Sequence, residues 1–321
     1  MKRLVAMAAL VALAAPVTAQ QVKVDPALPF YQKTSGVSGN INSVGSDTMN
    51  NLMTLWAEAF LKMYPNVKVQ VEGKGSSTAP PALIAGTSQF GPMSRAMRGT
   101  EVDQFEAKYG YKPTQLRTSY DALAVYVNKD NPIERLTLQQ VDAIFSKTRR
   151  CGAQAAIEDW SQTGIGGMFA GRRISLYGRN SASGTYGYFK EHALCGGDYR
   201  DDVKEQPGSA SVVQGVTEDT FAIGYSGIGY KTSSVKALDL AAKEGMPFAK
   251  AEAADVYGGK YPLARFLMIY VNQAPGRPLD PLVKEFVRMV LSKEGQEVVV
   301  KDGYLPLTKT IFDQEHAKLE K

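Results

Sequence analysis

Histidine and cysteine are nearly absent from this chain, with two of each in 321 residues. A zinc centre or a Ser-His-Asp triad therefore has little to draw on, and His192 and His316 both stand away from the loops rich in hydroxyl groups. No run of like charge and no basic stretch interleaved with aromatics occurs. The formal net charge is a mild +5, which points away from nucleic acid as a partner. Beyond residue 19 no apolar stretch is long enough to cross a bilayer. Internal repeats and low-complexity segments are missing as well.

The beginning of the chain has a separate purpose. Lys2 and Arg3 precede an apolar run from Leu4 to Ala15, and Val17-Thr18-Ala19 has the small-residue form of a peptidase site. Residues 1–19 read as a cleaved secretory signal. No cysteine follows the site, so a lipid anchor is not expected. An exported chain with an even number of cysteines makes a Cys151–Cys195 disulfide the default, with a reactive thiol or a metal pair as the alternatives.

About 300 residues remain, enough for two domains. Residues 20–37 read as an extended arm, and strands then alternate with helices. Ile41–Val44 is a strand. Met49, Leu52, Met53, Trp56, Phe60 and Met63 recur at helical spacing until Pro65. Val67, Val69 and Val71 alternate as a strand, Pro80 and Pro81 suit the first turn of a short helix, and Phe90–Met93 is a further strand end. Ala122–Val127 is a buried strand. Thr137 with Gln140 caps a helix to Phe145, and Asp280-Pro281 opens an amphipathic helix. The alternation predicts an α/β fold on a parallel sheet.

What the chain does have is one device in four places: strand ends followed by loops of small hydroxyl and charged residues. Ser46-Asp47-Thr48 follows the first strand, and Ser76-Ser77 follows the second in a loop containing Gly73 and Gly75. Ser94-Arg95 follows the third. Gly178 to Phe189 carries Arg179, Ser183, Gly184 and Thr185 at a strand–helix junction. Such junctions present unpaired N–H groups at the positive end of a helix dipole, a natural seat for an anion. An arginine adds a planar fork matched to a tetrahedral oxyanion. Each segment could alone be a helix cap with a surface charge. Four of them, at the edge of an open sheet where ligands sit, point to one site.

Taken in order, Val44 to Thr48, Gly73 to Leu83, Gly91 to Arg95 and Tyr177 to Glu191 resemble the PstS-type phosphate-binding proteins of high-affinity phosphate ABC transporters. The form most similar is that of gamma-proteobacteria related to Pseudomonas. The resemblance covers essentially the whole mature chain. It implies a two-lobed periplasmic binding protein of the type II class, with lobe one from residues 38–127 and 262–321 and lobe two from residues 128–261. Asn128 to Pro132 is then the outward crossing, with the return near Pro262. Inorganic phosphate lies between the lobes and passes to an inner-membrane ABC permease. The protein is expected to be a monomer in the periplasm, with neither enzymatic activity nor a cofactor or metal. The phosphate-binding residues implied are Ser46, Asp47, Thr48, Ser76, Ser77, Ser94, Arg95, Arg179, Ser183, Gly184 and Thr185. Many relatives carry an aspartate in the third loop to accept the ligand's proton, where this chain has Ser94-Arg95. Asp47 is the candidate to replace it.

Chemistry favours that ligand over its rivals. Near neutral pH phosphate keeps one proton, so a carboxylate acceptor receives a hydrogen bond from it but meets only repulsion from sulfate. Sulfate, molybdate or a phosphonate is the alternative within the binding class. An exported phosphatase or acyl hydrolase would need Ser46 or Ser183 as nucleophile together with a base, and no histidine is placed to serve. An adhesive role has no independent sign in the sequence.

Overall fold

A computed structural model describes residues 22–320. Residues 1–19, which read as a secretory signal, and the first two residues of the arm lie outside them. Strand β1 (Gly39–Val44) pairs in parallel with β2 (Val67–Glu72), and the helix α1 (Asn50–Met63) between them returns the chain. One face of α1 turns inward and buries Leu52, Met53, Trp56 and Phe60. Helix α2 (Ala79–Ala85) carries proline in its first turn, where the missing N–H costs nothing. A short strand β3 (Gly91–Met93) and helix α3 (Gly99–Tyr109) follow.

The next strand, β4 (Thr114–Asn128), joins the two halves of the molecule. Its first half pairs antiparallel with β11 (Ala264–Val271), and its second half, Leu123 to Val127, pairs with β8 (Ala222–Gly227). The chain thus passes from one hydrophobic core to the other inside a strand at Ala122–Leu123, upstream of the polar turn at Asn128–Pro132 where the crossing was expected. Only the apolar half of β4 shows in the sequence, because Thr114 to Tyr120 is a polar and apolar mixture. The sheet runs β3-β11-β4-β8-β6-β7, where β6 is Ser175–Arg179 and β7 is Lys204–Gln206. It is mixed rather than parallel. β6 lies parallel to β7 and β8, whereas β4 and β11 traverse the molecule in opposite directions and so pair antiparallel.

Between β4 and β6 lie β5 (Arg135–Thr137) and α4 (Leu138–Phe145). The Thr137 cap is present: Gln140 N donates to Thr137 Oγ1 at 3.2 Å, and Thr137 N donates to Gln140 Oε1 at 2.9 Å. Helix α5 (Gly184–His192) follows β6, and α6 (Ser209–Glu218) follows β7. Strands β9 (Val235–Ala237) and β10 (Asp239–Ala241) and the short α7 (Ala253–Tyr257) complete this half. Cys151 and Cys195 are joined, with Cα atoms 5.4 Å apart, and tie the loop after α4 to the end of α5.

After β11 the chain returns to the first half as α8 (Pro281–Leu291), α9 (Lys293–Lys301) and α10 (Lys309–Leu319). The Asp280 side chain caps α8 by accepting from Leu282 N at 2.9 Å. Helix α10 was not anticipated. It buries only Phe312, Glu315 and Leu319 and so has a weak apolar stripe. One core gathers Trp56, Phe60, Phe286 and Leu267 of the first half, and another gathers Trp160, Phe189, Leu123 and Tyr225 of the second. Each such side chain contributes roughly 1.5–3 kcal/mol by burial. The arm packs against the first half: Leu28 is buried, and Tyr31 Oη donates to Glu285 at 2.7 Å.

Candidate functional site

The loops singled out from the sequence meet where the two halves face each other. Ser46 stands in extended backbone at the end of β1, and a 3-10 turn, Asp47–Met49, leads on into α1. Gly75, with φ +115°, makes the turn that brings Ser76 forward, and a Cβ there would lie 2.5 Å from the carbonyl oxygen of Ala182 in the opposite half. Ser94 follows β3, and its N–H donates to Ser76 Oγ at 3.1 Å. From the second half, Ser183 caps α5 and accepts from the N–H groups of Thr185 and Tyr186.

Five hydroxyl groups converge. Ser46 Oγ donates to Ser94 Oγ at 3.1 Å, and Ser76 Oγ lies 3.3 Å from Ser94 Oγ. Across the junction Thr48 Oγ1 lies 2.9 Å from Thr185 Oγ1. All five residues are at most 1 % exposed, so their hydrogen bonds work in a medium of low dielectric constant. A Cβ on Gly184 would sit 2.2 Å from Ser76 Oγ, so a side chain at that position would break the cluster apart.

Arg179 and Asp47 border the hydroxyls. The Arg179 guanidinium is buried and lies 3.0 Å from Asp47 Oδ1, and it also donates to Ser209 Oγ at 2.7 Å and Pro207 O at 3.1 Å. Burial draws the Arg179 pKa below the usual guanidinium value, and Asp47 opposes that shift. Its Nε has no protein partner. Asp47 does not cap its own helix. Its Oδ1 accepts instead from Ser209 N at 2.8 Å and Ser209 Oγ at 3.0 Å, at the start of α6 in the other half.

Two candidates stand apart from the cluster. Arg95 turns away to Glu101, with both terminal nitrogens at 2.7 Å from the carboxylate. Burial pushes the Glu101 carboxyl up, but the bonds from Arg95 and from Arg98 N outweigh it and hold the group below its ordinary range. Arg95, which the sequence reading places among the phosphate-binding residues, is thus neutralised by Glu101 six residues away. Ser77 donates to Ala182 O at 3.0 Å and fastens the two halves beside the cluster.

Other groups at the junction escaped the sequence reading. Arg265 of β11 stands directly opposite Asp121 of β4, and both Nε and Nη2 donate to Asp121 Oδ2, at 2.9 and 2.7 Å. Nη2 also reaches Thr185 Oγ1 at 2.9 Å, and Nη1 reaches Ser94 O at 2.8 Å. Tyr230 Oη donates to Asp47 O at 3.0 Å. One signal was available: Arg265 is the lone charge of an otherwise apolar β11 and needs a partner, and Asp121 of β4 is an acid at the edge of an apolar run.

A second set of cations is less suited to an anion. Lys147, Arg149, Arg173 and Arg200 line a surface concavity of about 320 Å³. Asp201 takes Lys147 at 2.7 Å, and Asp202 takes Arg173 and Arg200 at 2.9 and 2.7 Å. Among the described residues no group of His, Cys, Asp and Glu has the arrangement of a metal site, and no helix is long and apolar enough to cross a membrane.

The chain is similar to known proteins over most of its length. Residues 32–294 match the model of the PBP superfamily domain. The chain is 56% identical to the phosphate-binding protein PstS of Pseudomonas aeruginosa over 98% of its own length and 97% of the relative's. It is 28% identical to PstS of Bacillus subtilis over 84% of this chain and 82% of that one. Among solved structures, a possible phosphate binding protein from Planctomyces limnophilus matches with a TM-score of 0.64 and 27% identity, covering 89% of this chain and 99% of that one. A putative phosphate ABC transporter substrate-binding protein from Clostridium perfringens, with bound phosphate, shares the fold with a TM-score of 0.71 at 24% identity, over 84% of this chain and 100% of that one.

Proposed function

We propose that this chain, which belongs to the PstS-type phosphate-binding protein family of the PBP superfamily, captures inorganic phosphate between its two halves and delivers it to an inner-membrane ABC permease. In this reading it works as a monomer in the periplasm, exported by residues 1–19. The observation that carries the ligand assignment is the buried convergence of Ser46, Thr48, Ser76, Ser94 and Thr185 beside Arg179. Phosphate entering such a site loses hydration that must be replaced bond for bond. Short hydroxyl, N–H and guanidinium donors return about 1.5–3 kcal/mol each when the acceptor is charged.

The ligand's own proton needs an acceptor, and Asp47 is the carboxylate beside Arg179. Its Oδ1 accepts from Ser209 N and Ser209 Oγ and is the oxygen that faces the Arg179 guanidinium. The other oxygen is the one proposed to accept from the phosphate hydroxyl. Sulfate offers no proton there and meets repulsion. A hydrolase reading finds less support. Ser183 Oγ serves the α5 backbone and Ser46 Oγ serves Ser94, so neither is poised by a histidine.

Calorimetric titration with phosphate, arsenate and sulfate in parallel tests the assignment. Phosphate and arsenate are expected to bind one to one, and sulfate far more weakly. Sulfate bound as tightly as phosphate would overturn the ligand and leave an oxyanion site of another kind.

A further inference from the structure

The Asp121–Arg265 pair sits where neither half of the molecule ends. Its two residues face each other in the register of β4 and β11, the strands by which the chain passes between the halves. Both side chains are buried, at 0 % and 3 % exposure. From this place Arg265 reaches one anion loop of each half, Ser94 O of the first at 2.8 Å and Thr185 Oγ1 of the second at 2.9 Å. Asp121 meanwhile accepts from Ile228 N, just beyond β8, at 2.9 Å.

Hydrogen-bond direction gives these contacts a consequence. Guanidinium has donors only, and a threonine hydroxyl has one proton and two lone pairs. The bond from Arg265 therefore occupies a lone pair of Thr185 Oγ1 and prevents the hydroxyl proton from pointing back at the strand. That proton is left to face Thr48 Oγ1 at 2.9 Å and Ser94 Oγ at 3.5 Å, inside the hydroxyl cluster. Asp121 neutralises the guanidinium, so the effect is one of orientation rather than of added charge.

We propose that Arg265, held by Asp121, is a positioning residue of the anion site: it turns the Thr185 hydroxyl into a preset donor and pins the Ser94 loop to the same point. The proposal rests on the phosphate reading above. Preset donors spend no reorganisation when the anion arrives, and affinity rises accordingly. Arginine is required because the three donors of lysine sit on one nitrogen, without the spread of the planar fork whose Nε, Nη1 and Nη2 serve Asp121, Ser94 and Thr185.

A double-mutant cycle read by phosphate calorimetry decides the matter: wild type, Arg265→Lys, Thr185→Val and the double variant. Arg265→Lys is expected to weaken phosphate binding roughly tenfold or more in the wild-type background, and less than about threefold once Thr185→Val has removed the hydroxyl. Equal losses in the two backgrounds, or no loss in either, would overturn the proposal, because a purely structural pair has no reason to act through Thr185. Thermal melts accompany each titration. If Arg265→Lys fails to fold, Asp121→Asn with Arg265→Gln removes both charges together and is carried through the same two backgrounds. Should wild type bind sulfate in place of phosphate, the phosphate reading fails, and the same cycle run with sulfate still decides the role of Arg265.

Discussion

Asp47 and Arg179 meet at 3.0 Å across the junction of the two halves, although each belongs to a different anion loop and 132 positions of chain separate them. The pair leaves Arg179 compensated when it is buried at 1 % exposure, and it brings a carboxylate to the start of α6, where Ser209 N receives it. An acid in that position is stabilised by the helix dipole as well as by the cation.

Arg179→Ala is therefore expected to weaken phosphate binding by at least about 2 kcal/mol, some thirtyfold, through loss of a buried charge-assisted donor. Arg98→Ala, at an exposed position before α3, is expected to leave affinity within about twofold of wild type. Titration of the two variants side by side checks this. Equal affinities would place the anion elsewhere.

Asp47→Asn keeps the size of the side chain and can offer an amide N–H to the anion. The expected result is a change of selectivity more than of affinity, with sulfate binding rising relative to phosphate by about tenfold. Competition calorimetry measures the ratio. An unchanged ratio would mean that Asp47 serves only to pair Arg179 and Ser209, and that another group reads the proton.

Removing the Cys151–Cys195 bridge should destabilise the second half without abolishing binding, since the disulfide lies at the far end of α5 from Thr185. With a sequence separation of 44 between the cysteines, the chain-entropy model gives about 4 kcal/mol, an upper figure. Urea unfolding of the paired serine variant is expected to show a loss of about 2–4 kcal/mol with phosphate affinity retained. Intact mass after alkylation should show no free thiol in protein taken from the native compartment.

Asp302 supplies a pH dependence. Burial raises its carboxyl from 3.8 to about 6, against a hydrogen bond from Asn51 that lowers it. It also stands at the C-terminal end of α9, where the helix dipole disfavours negative charge. The folded protein holds this proton more tightly than the unfolded chain does. The Asp302 contribution is thus undiminished below about pH 3.8 and is lost as pH rises through about 6. Asp302→Asn should then be more stable than wild type near neutral pH, by on the order of 1 kcal/mol after allowance for solvent screening, with the gain fading toward pH 4. Melting temperatures across that range check the sign, and a gain that does not change with pH would contradict it.

Local chemistry made much of this protein legible in its residue order. The apolar spacing of α1 and α8, the Thr137–Gln140 cap and the proline start of α2 are decided within a few residues of chain, and each is present where the pattern places it. The hydroxyl loops are legible for the same reason, because a strand end followed by Ser, Thr and Gly is a local motif. The partners of the charges were settled only in three dimensions. Arg95 was drawn off to Glu101, Asp47 took Ser209 and Arg179, and Arg265 found Asp121 through the register of two strands far apart in sequence. A charge is unsatisfied until it is buried against something, and what lies opposite is decided by the packing of whole elements. The passage between the halves belongs to the same class. β4 runs through both cores as one strand, so its polar first half has meaning only beside β11.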